Sequence, residues 1–281
     1  MPLRASEWIS VLAFSGFVAL AWQRRLDRVR RVKITALGSA GTAATLFASL
    51  VLPGLAGPLS TSITRDLLPC VLILLFYSLS GRFVTGANAG LEARLLQLDR
   101  LLVARPLIWC AGRFFGPWLL GSLELAYLSY YVALPGAAAT LRLAGRGKEA
   151  DHFWTVVLLA AYASCGMLAF VQTRPPRVLE EKWGLSLASG RLRAFNLWIL
   201  RNGGVPANTF PSAHVAIAVA CALALLRAGP HWAGATFLVI GVGIALGAVA
   251  GRYHYAADAI LGVVTAAAAW LAGIGLVGFG R

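Results

Sequence analysis

The stretch Phe210-Pro211-Ser212-Ala213-His214 is followed forty residues on by Gly251-Arg252-Tyr253-His254-Tyr255-Ala256-Ala257-Asp258, and each lies at the edge of a long apolar run. Two of the chain's four histidines sit in these two patches. A charged residue at the centre of a membrane helix costs about 2.5–3.5 kcal/mol on insertion scales, so charges beside membrane-length segments need a reason. The patches sit where helices begin, which makes the fold an all-α bundle with its chemistry at one end.

Working outward, apolar runs occupy 8–22, 35–57, 67–80, 117–141, 153–172, 212–228, 233–250 and 255–278. Several approach the ~20 residues that span a bilayer as a helix. The first and third are short, so six to eight spans are expected. A barrel would alternate apolar and polar residues; these runs are continuous and rich in Ala, Leu and Gly. The composition agrees, with 59% hydrophobic and 13% charged residues.

The net charge of +14 falls mostly between the apolar runs, as in Arg24, Arg25, Arg28, Arg30, Arg31 and Lys33. That pattern fits loops on the positive side of a membrane and attraction to anionic lipid. No basic motif is interleaved with stacking aromatics, which argues against a nucleic-acid partner. Cys70, Cys110, Cys165 and Cys221 form no CxxC pair and read as small buried hydrophobes. Residues 1–81 carry apolar segments and little chemistry; 82–281 form the domain with the motifs.

Within that domain, Leu91, Leu95, Leu98, Leu101 and Leu102 recur at helical spacing. They predict an amphipathic helix over about 88–114, either in the interface or laid over the bundle. In the run 117–141, Glu124, Tyr127 and Tyr131 share a face. An intramembrane glutamate faces the bundle interior or a watery cavity, so this face is either a structural hydrogen bond or a substrate cavity. Arg174-Pro175-Pro176-Arg177 stops the next helix and sets two arginines at the membrane edge. Counting crossings places the Arg174, His214 and His254 patches at one end of the bundle.

These residue types suit phosphoryl transfer. Arginine binds phosphate oxygens in pairs, and Ser212 with the helix start after Pro211 makes an anion site. His254 and Asp258 are i, i+4 and share a helix face. The carboxylate can hold one imidazole nitrogen while the other attacks. His214 can protonate the leaving oxygen. No cluster of carboxylates or His/Cys ligands suggests a metal, and no cofactor is called for.

The order Arg174-Pro175, Pro211-Ser212-Ala213-His214 and His254-x3-Asp258 resembles the type 2 phosphatidic acid phosphatase superfamily over roughly residues 90–275. Arg252-Tyr253-His254-Tyr255 with Asp258 and Gly262, and Leu98-Asp99-Arg100 through Tyr127, Tyr130, Tyr131 and Pro135, are closer to the inositol phosphorylceramide synthase-like branch. The resemblance implies a metal-independent lipid phosphatase or headgroup phosphotransferase acting through a phosphohistidine. His254 would be the nucleophile, oriented by Asp258, and His214 the general acid. Arg174 and Ser212 would hold phosphate, and Arg177 and Arg252 would replace cations the family carries where this chain has Met167 and Ala248. The alternative is a catalytically silent lipid-binding or transport protein on the same scaffold. Similar enzymes work on the extracytoplasmic side, which here implies a multi-pass protein of a bacterial-type inner membrane with a lipid phosphate as substrate. The basic run 24–33 would then sit on the wrong face unless one short early segment does not span.

Overall fold

In the computed structural model, residues 3–101, 116–179 and 190–278 are described, and among them there is no strand-built sheet. The protein is an all-α polytopic bundle. Its helices are α1 (Ala5–Gln23), α2 (Arg28–Leu46, continuing through a π turn at Phe47–Val51 to Leu55), α3 (Pro58–Ser80), α4 (Ala89–Asp99) and α5 (Gly116–Leu143). There follow α6 (Ala150–Gly166), the single turn α7 (Pro176–Leu179), α8 (Arg191–Gly203), α9 (Ala213–Ala228), α10 (His231–Ala250) and α11 (Ala256–Gly278). All eight apolar runs are helical. Among the described residues, six stretches are long and apolar enough to cross a membrane: Ala5–Gln23, Arg28–Leu55, Pro58–Phe83, Gly147–Ala169, His231–Ala250 and Ala256–Leu276.

The centre of the bundle is α6 and α9. Nearly every residue of both is buried, which is why both are apolar all round rather than on one stripe. Helix α6 is flanked by α1, α3, α9 and α11, and α9 by α5, α6, α10 and α11. The alanines of α9 let these neighbours approach closely, as small residues do in membrane interfaces. Two glycines bring helices against backbone carbonyls near the motifs. A Cβ on Gly247 of α10 would lie 2.4 Å from the Leu123 carbonyl oxygen of α5. A Cβ on Gly262 of α11 would lie 2.9 Å from the Ser212 carbonyl oxygen at the start of α9. Any side chain at Gly262 would push α11 off the very motif it supports.

The first and third runs are longer than their uninterrupted apolar cores suggest. Glu7 cuts into the first, and Arg65 and Asp66 cut into the third. In the fold Arg65 makes a two-pronged pair with Glu7, at 2.6 and 2.7 Å, with both side chains buried. Asp66 is shared by Arg4, at 2.7 Å, and by Arg142. Once paired, these charges sit inside the bundle and both helices run to full length. The expectation that one early segment falls short of spanning finds no support here. The turn between α1 and α2 accordingly lies at the same end as the motifs, where Arg24 and Arg25 border a groove with Asn88 and Gln172.

The expected boundary near residue 81 falls at a 3-10 turn, Gly81–Phe83. The apolar core is nonetheless continuous across it, joining Phe14 and Phe76 to Tyr162 and the residues of α9. Of the amphipathic helix expected over 88–114, Ala89–Asp99 is α4; residues 102–114 lie outside the described ones.

Candidate active site

Three loops meet at one end of the bundle, as counting crossings requires. The Arg177 amide donates to the Arg252 carbonyl at 3.1 Å, the Asn208 amide to Thr173 at 2.6 Å, and the Ser212 amide to the Asp258 carbonyl at 3.0 Å. These backbone bonds lace the segments 173–177, 208–212 and 251–258 together. They fix the histidines without relying on long side chains.

His254 lies in the short connection between α10 and α11, and Asp258 lies in the first turn of α11. The i, i+4 relation holds: His254 Nδ1 is 3.1 Å from Asp258 Oδ2. That oxygen also accepts from the Tyr255 amide at 3.1 Å and from Asn208 Nδ2. An ionised carboxylate at this position favours the proton on Nδ1 and leaves Nε2 unprotonated. Burial pushes the His254 imidazole down to about 3, with nearby Arg177 a smaller cause. It is neutral at ordinary pH.

His214 occupies the first turn of α9, its ring centroid 6.1 Å from that of His254. Tyrosines of α5 pack around it. Tyr127 stacks at 5.0 Å, Tyr130 lies at 4.3 Å, and Tyr131 meets it edge-on at 6.1 Å. Tyr253 in turn stacks on Tyr127 at 4.3 Å. Both histidines open on a cavity of ≈ 210 Å³, with Arg177, Tyr127, Tyr130, Tyr131, Asn208 and Tyr253 also on its wall.

The four residues assigned to phosphate binding separate. Arg177 lines the cavity, its guanidinium 5.4 Å from the Tyr253 ring centroid. Among the described residues no carboxylate forms an ion pair with it, and burial lowers its pKa. Arg174 is off the cavity wall. Its side chain and amide grip Glu92 of α4 through bonds of 2.7, 3.1 and 2.8 Å, and the same contact holds the Glu92 carboxyl below its usual range. Arg252 is buried and paired with Asp99, whose other oxygen accepts from the Ala256 amide at 2.7 Å. It adopts a left-handed backbone at φ 56°, rare for a residue with a side chain, and so turns the chain sharply into His254. Ser212 is fully buried, and among the described residues its hydroxyl has no hydrogen-bond partner.

The face of α5 also divides. Tyr127 and Tyr131 reach the cavity, whereas Glu124 does not. Glu124 accepts from Arg193 at 2.8 Å, from Tyr253 Oη at 2.6 Å and from Asn196. It is the structural hydrogen bond of the two alternatives, tying α5 to α8 and to the loop before His254. Three contributors escape the sequence reading. Asn208 belongs to none of the sequence motifs, yet it braces Asp258. Arg193, the second cation over Tyr253 at 5.0 Å, lies in a stretch of mixed polarity with no motif. Tyr77 of α3 comes from a region with no recognisable chemistry.

A multi-span helical bundle with paired histidines, a carboxylate and an arginine gathered at one end defines a class of membrane-embedded proteins. The chain belongs to the PAP2 superfamily, whose model matches residues 93–272. Members of that superfamily are generally phosphatases. No curated protein matches the chain, and no solved structure does.

Proposed function

We propose that the protein is an integral membrane enzyme that transfers a phosphoryl group from a lipid phosphate through a phosphohistidine at His254. The observation that carries this reading is the Asp258–His254 contact at 3.1 Å, with His214 across the cavity and Arg177 on its wall. His254 Nε2 attacks phosphorus as the ester P–O bond breaks, and protonated His214 gives its proton to the leaving alkoxide. The negative phosphate itself favours the protonated form of His214. In the second step neutral His214 takes a proton from the acceptor, whose oxygen displaces Nε2 and regenerates His254. Arg177 is the charge donor to the nonbridging oxygens. Asp258 positions the nucleophile, and Asn208 holds Asp258. Arg174 and Arg252 act through the frame, clamping α4 to the loops that carry the site.

Water as acceptor makes a phosphatase, and a lipid or inositol hydroxyl makes a phosphotransferase. The convergence of Asp99 with Arg252, and of Tyr127 with Tyr253, supports the inositol phosphorylceramide synthase-like reading, because it joins the two stretches that carry that resemblance. The resemblance also favours an extracytoplasmic site, whereas the basic run Arg24 to Lys33 at the same end pulls the other way under the positive-inside tendency. Labelling of Gly86→Cys by an impermeant maleimide in intact cells supports the extracytoplasmic face; labelling only after lysis reverses it.

The reading is tested with purified protein, a panel of lipid phosphates, and simultaneous assay of free phosphate and new phosphodiester. Turnover should survive exhaustive chelation and be inhibited by vanadate, whose trigonal bipyramidal form matches the transition state. Loss of turnover on chelation with recovery on magnesium or zinc would contradict a metal-free mechanism.

A further inference from the structure

The turn between α1 and α2 borders a second recess at the motif end, a groove of ≈ 370 Å³ that shares no wall residue with the histidine cavity. Arg24 and Arg25 are on its wall, with Phe83, Thr85, Phe170 and Gln172. Gln172 staples the recess together. Its Oε1 accepts from the Thr85 and Gly86 amides at 2.9 and 3.0 Å. Its Nε2 donates to the Phe83 and Leu168 carbonyls at 2.9 and 3.1 Å. The Arg30 guanidinium ties the same loop to α2 by donating to the Val84 carbonyl at 2.8 Å. The groove is thus formed by hydrogen-bonded backbone rather than by the chance placement of surface side chains.

The two arginines bring positive charge to this wall that no acid answers. Arg24 lies over the Phe170 ring, 5.0 Å from its centroid. Among the described residues neither Arg24 nor Arg25 forms an ion pair. The nearest acid in sequence, Asp27, is used elsewhere: it accepts from the Arg30 amide at 2.9 Å and pairs with the Arg30 guanidinium at 3.1 Å. Basic residues that serve topology alone need only reach water. Arg28 and Lys33 of the same run do so, both exposed and off the groove. Arg24 and Arg25 instead converge on one concave wall. They follow directly on Gln23, the last residue of α1, and Trp22 beside them is 59% exposed. Tryptophan gathers at the membrane–water boundary, so the groove lies at headgroup level. The anion that a membrane offers at this level is a lipid phosphate, and two guanidinium groups suit its oxygens.

We propose that this groove binds the headgroup phosphate of an anionic membrane lipid, held by Arg24 and Arg25, at a site separate from the histidine cavity. The site does not depend on the phosphoryl-transfer reading. A choline headgroup would bring its own cation against the same arginines, so the groove discriminates by the net charge of the headgroup.

The test titrates the detergent-solubilised full chain with dioleoylphosphatidylglycerol or dioleoylphosphatidylcholine and reads each Kd by native mass spectrometry. The native chain should hold the glycerol lipid at least about tenfold more tightly than the choline lipid, the scale expected of two cations at an anionic headgroup. The double variant Arg24→Ala, Arg25→Ala should bind the two lipids within about twofold of each other. Thr85→Glu, which sets a carboxylate on the groove wall, should lose the preference with both arginines in place. The double variant Arg28→Ala, Lys33→Ala removes the same charge from the same run and should keep it. Excess inorganic phosphate should leave the glycerol lipid bound. Equal binding of the two lipids by the native chain overturns the site, as does a preference that survives in the Arg24, Arg25 variant. An equal loss in the Arg28, Lys33 variant reduces it to general attraction by the basic run. Displacement of the lipid by inorganic phosphate assigns the groove to a free anion and overturns the lipid.

Discussion

The bundle carries two clusters of buried charge, at opposite ends, and they are built differently. At the end away from the motifs, Glu7 is taken by Arg65 and Asp66 is shared by Arg4 and Arg142. There too Asp151 accepts from the Ser6 hydroxyl at 2.7 Å and from the amides of Ala5 and Ser6. Each of these carboxylates is matched by a donor, and the cluster staples α1, α3, α5 and α6 together. At the motif end, some pairs close the frame in the same way: Arg174 with Glu92, Arg252 with Asp99, Arg193 with Glu124. Inside that frame Arg177 and His214 face a cavity where, among the described residues, neither has a carboxylate of its own. A saturated network holds a fold, whereas groups left open on a cavity await charge from a ligand.

The contrast breaks most visibly at the nucleophile. His254→Ala should lower phosphoryl-transfer activity by at least about 10⁴, as removal of a nucleophile does elsewhere. The far-end cluster, and with it the fold, should stay intact, as monodisperse gel filtration and an unchanged helical circular dichroism spectrum would confirm. The double variant with His214→Ala should be little worse, because residues that serve one step are non-additive. Next, Arg177→Ala should cost about 10²–10³ in kcat, the usual loss for one transition-state charge donor. Arg174→Ala should cost less than about tenfold, since its guanidinium serves Glu92. A larger loss for Arg174 than for Arg177, in side-by-side steady-state assays, would exchange their roles.

At the other end the expected signature is reversed. Glu7→Gln removes the carboxylate that Arg65 grips through two bonds, and breaking such a buried pair costs about 3 kcal/mol. A chemical-denaturation midpoint should fall while kcat per folded molecule is unchanged. The smallest effect concerns pH. Because His254 has a folded pKa near 3 against an ordinary value near 6.5, the unfolded chain binds more protons than the folded one between those values. Its contribution is neutral above about pH 6.5, and stability falls as pH drops toward 3, by at most about 1.4 kcal/mol per unit. His254→Gln should flatten that slope in thermal melts between pH 7 and 5.

The two ends were also unequally legible. Helical class and number followed from the apolar runs, because continuous Ala, Leu and Gly in stretches near twenty residues admit little else. The lengths of α1 and α3 did not, since Glu7, Arg65 and Asp66 look like breaks until Glu7 is seen to pair with Arg65 across 58 residues and Asp66 with Arg4 across 62. At the motif end, His254–Asp258 was readable because an i, i+4 relation is local. The roles of Arg174 and Arg177 were not, because the direction of the Arg174 side chain, just before the two prolines, depends on Glu92, eighty-two residues earlier. Helix α3 was invisible as a cavity wall, since its apolar residues look the same whether they face lipid or a cavity.

The most direct measurement is acid-labile, base-stable phosphate on the protein after rapid quenching of a ³²P-labelled lipid phosphate. The native chain should accumulate the label, and His254→Ala should carry none while remaining folded. Label retained at native levels in His254→Ala would contradict the assignment of His254 as the nucleophile.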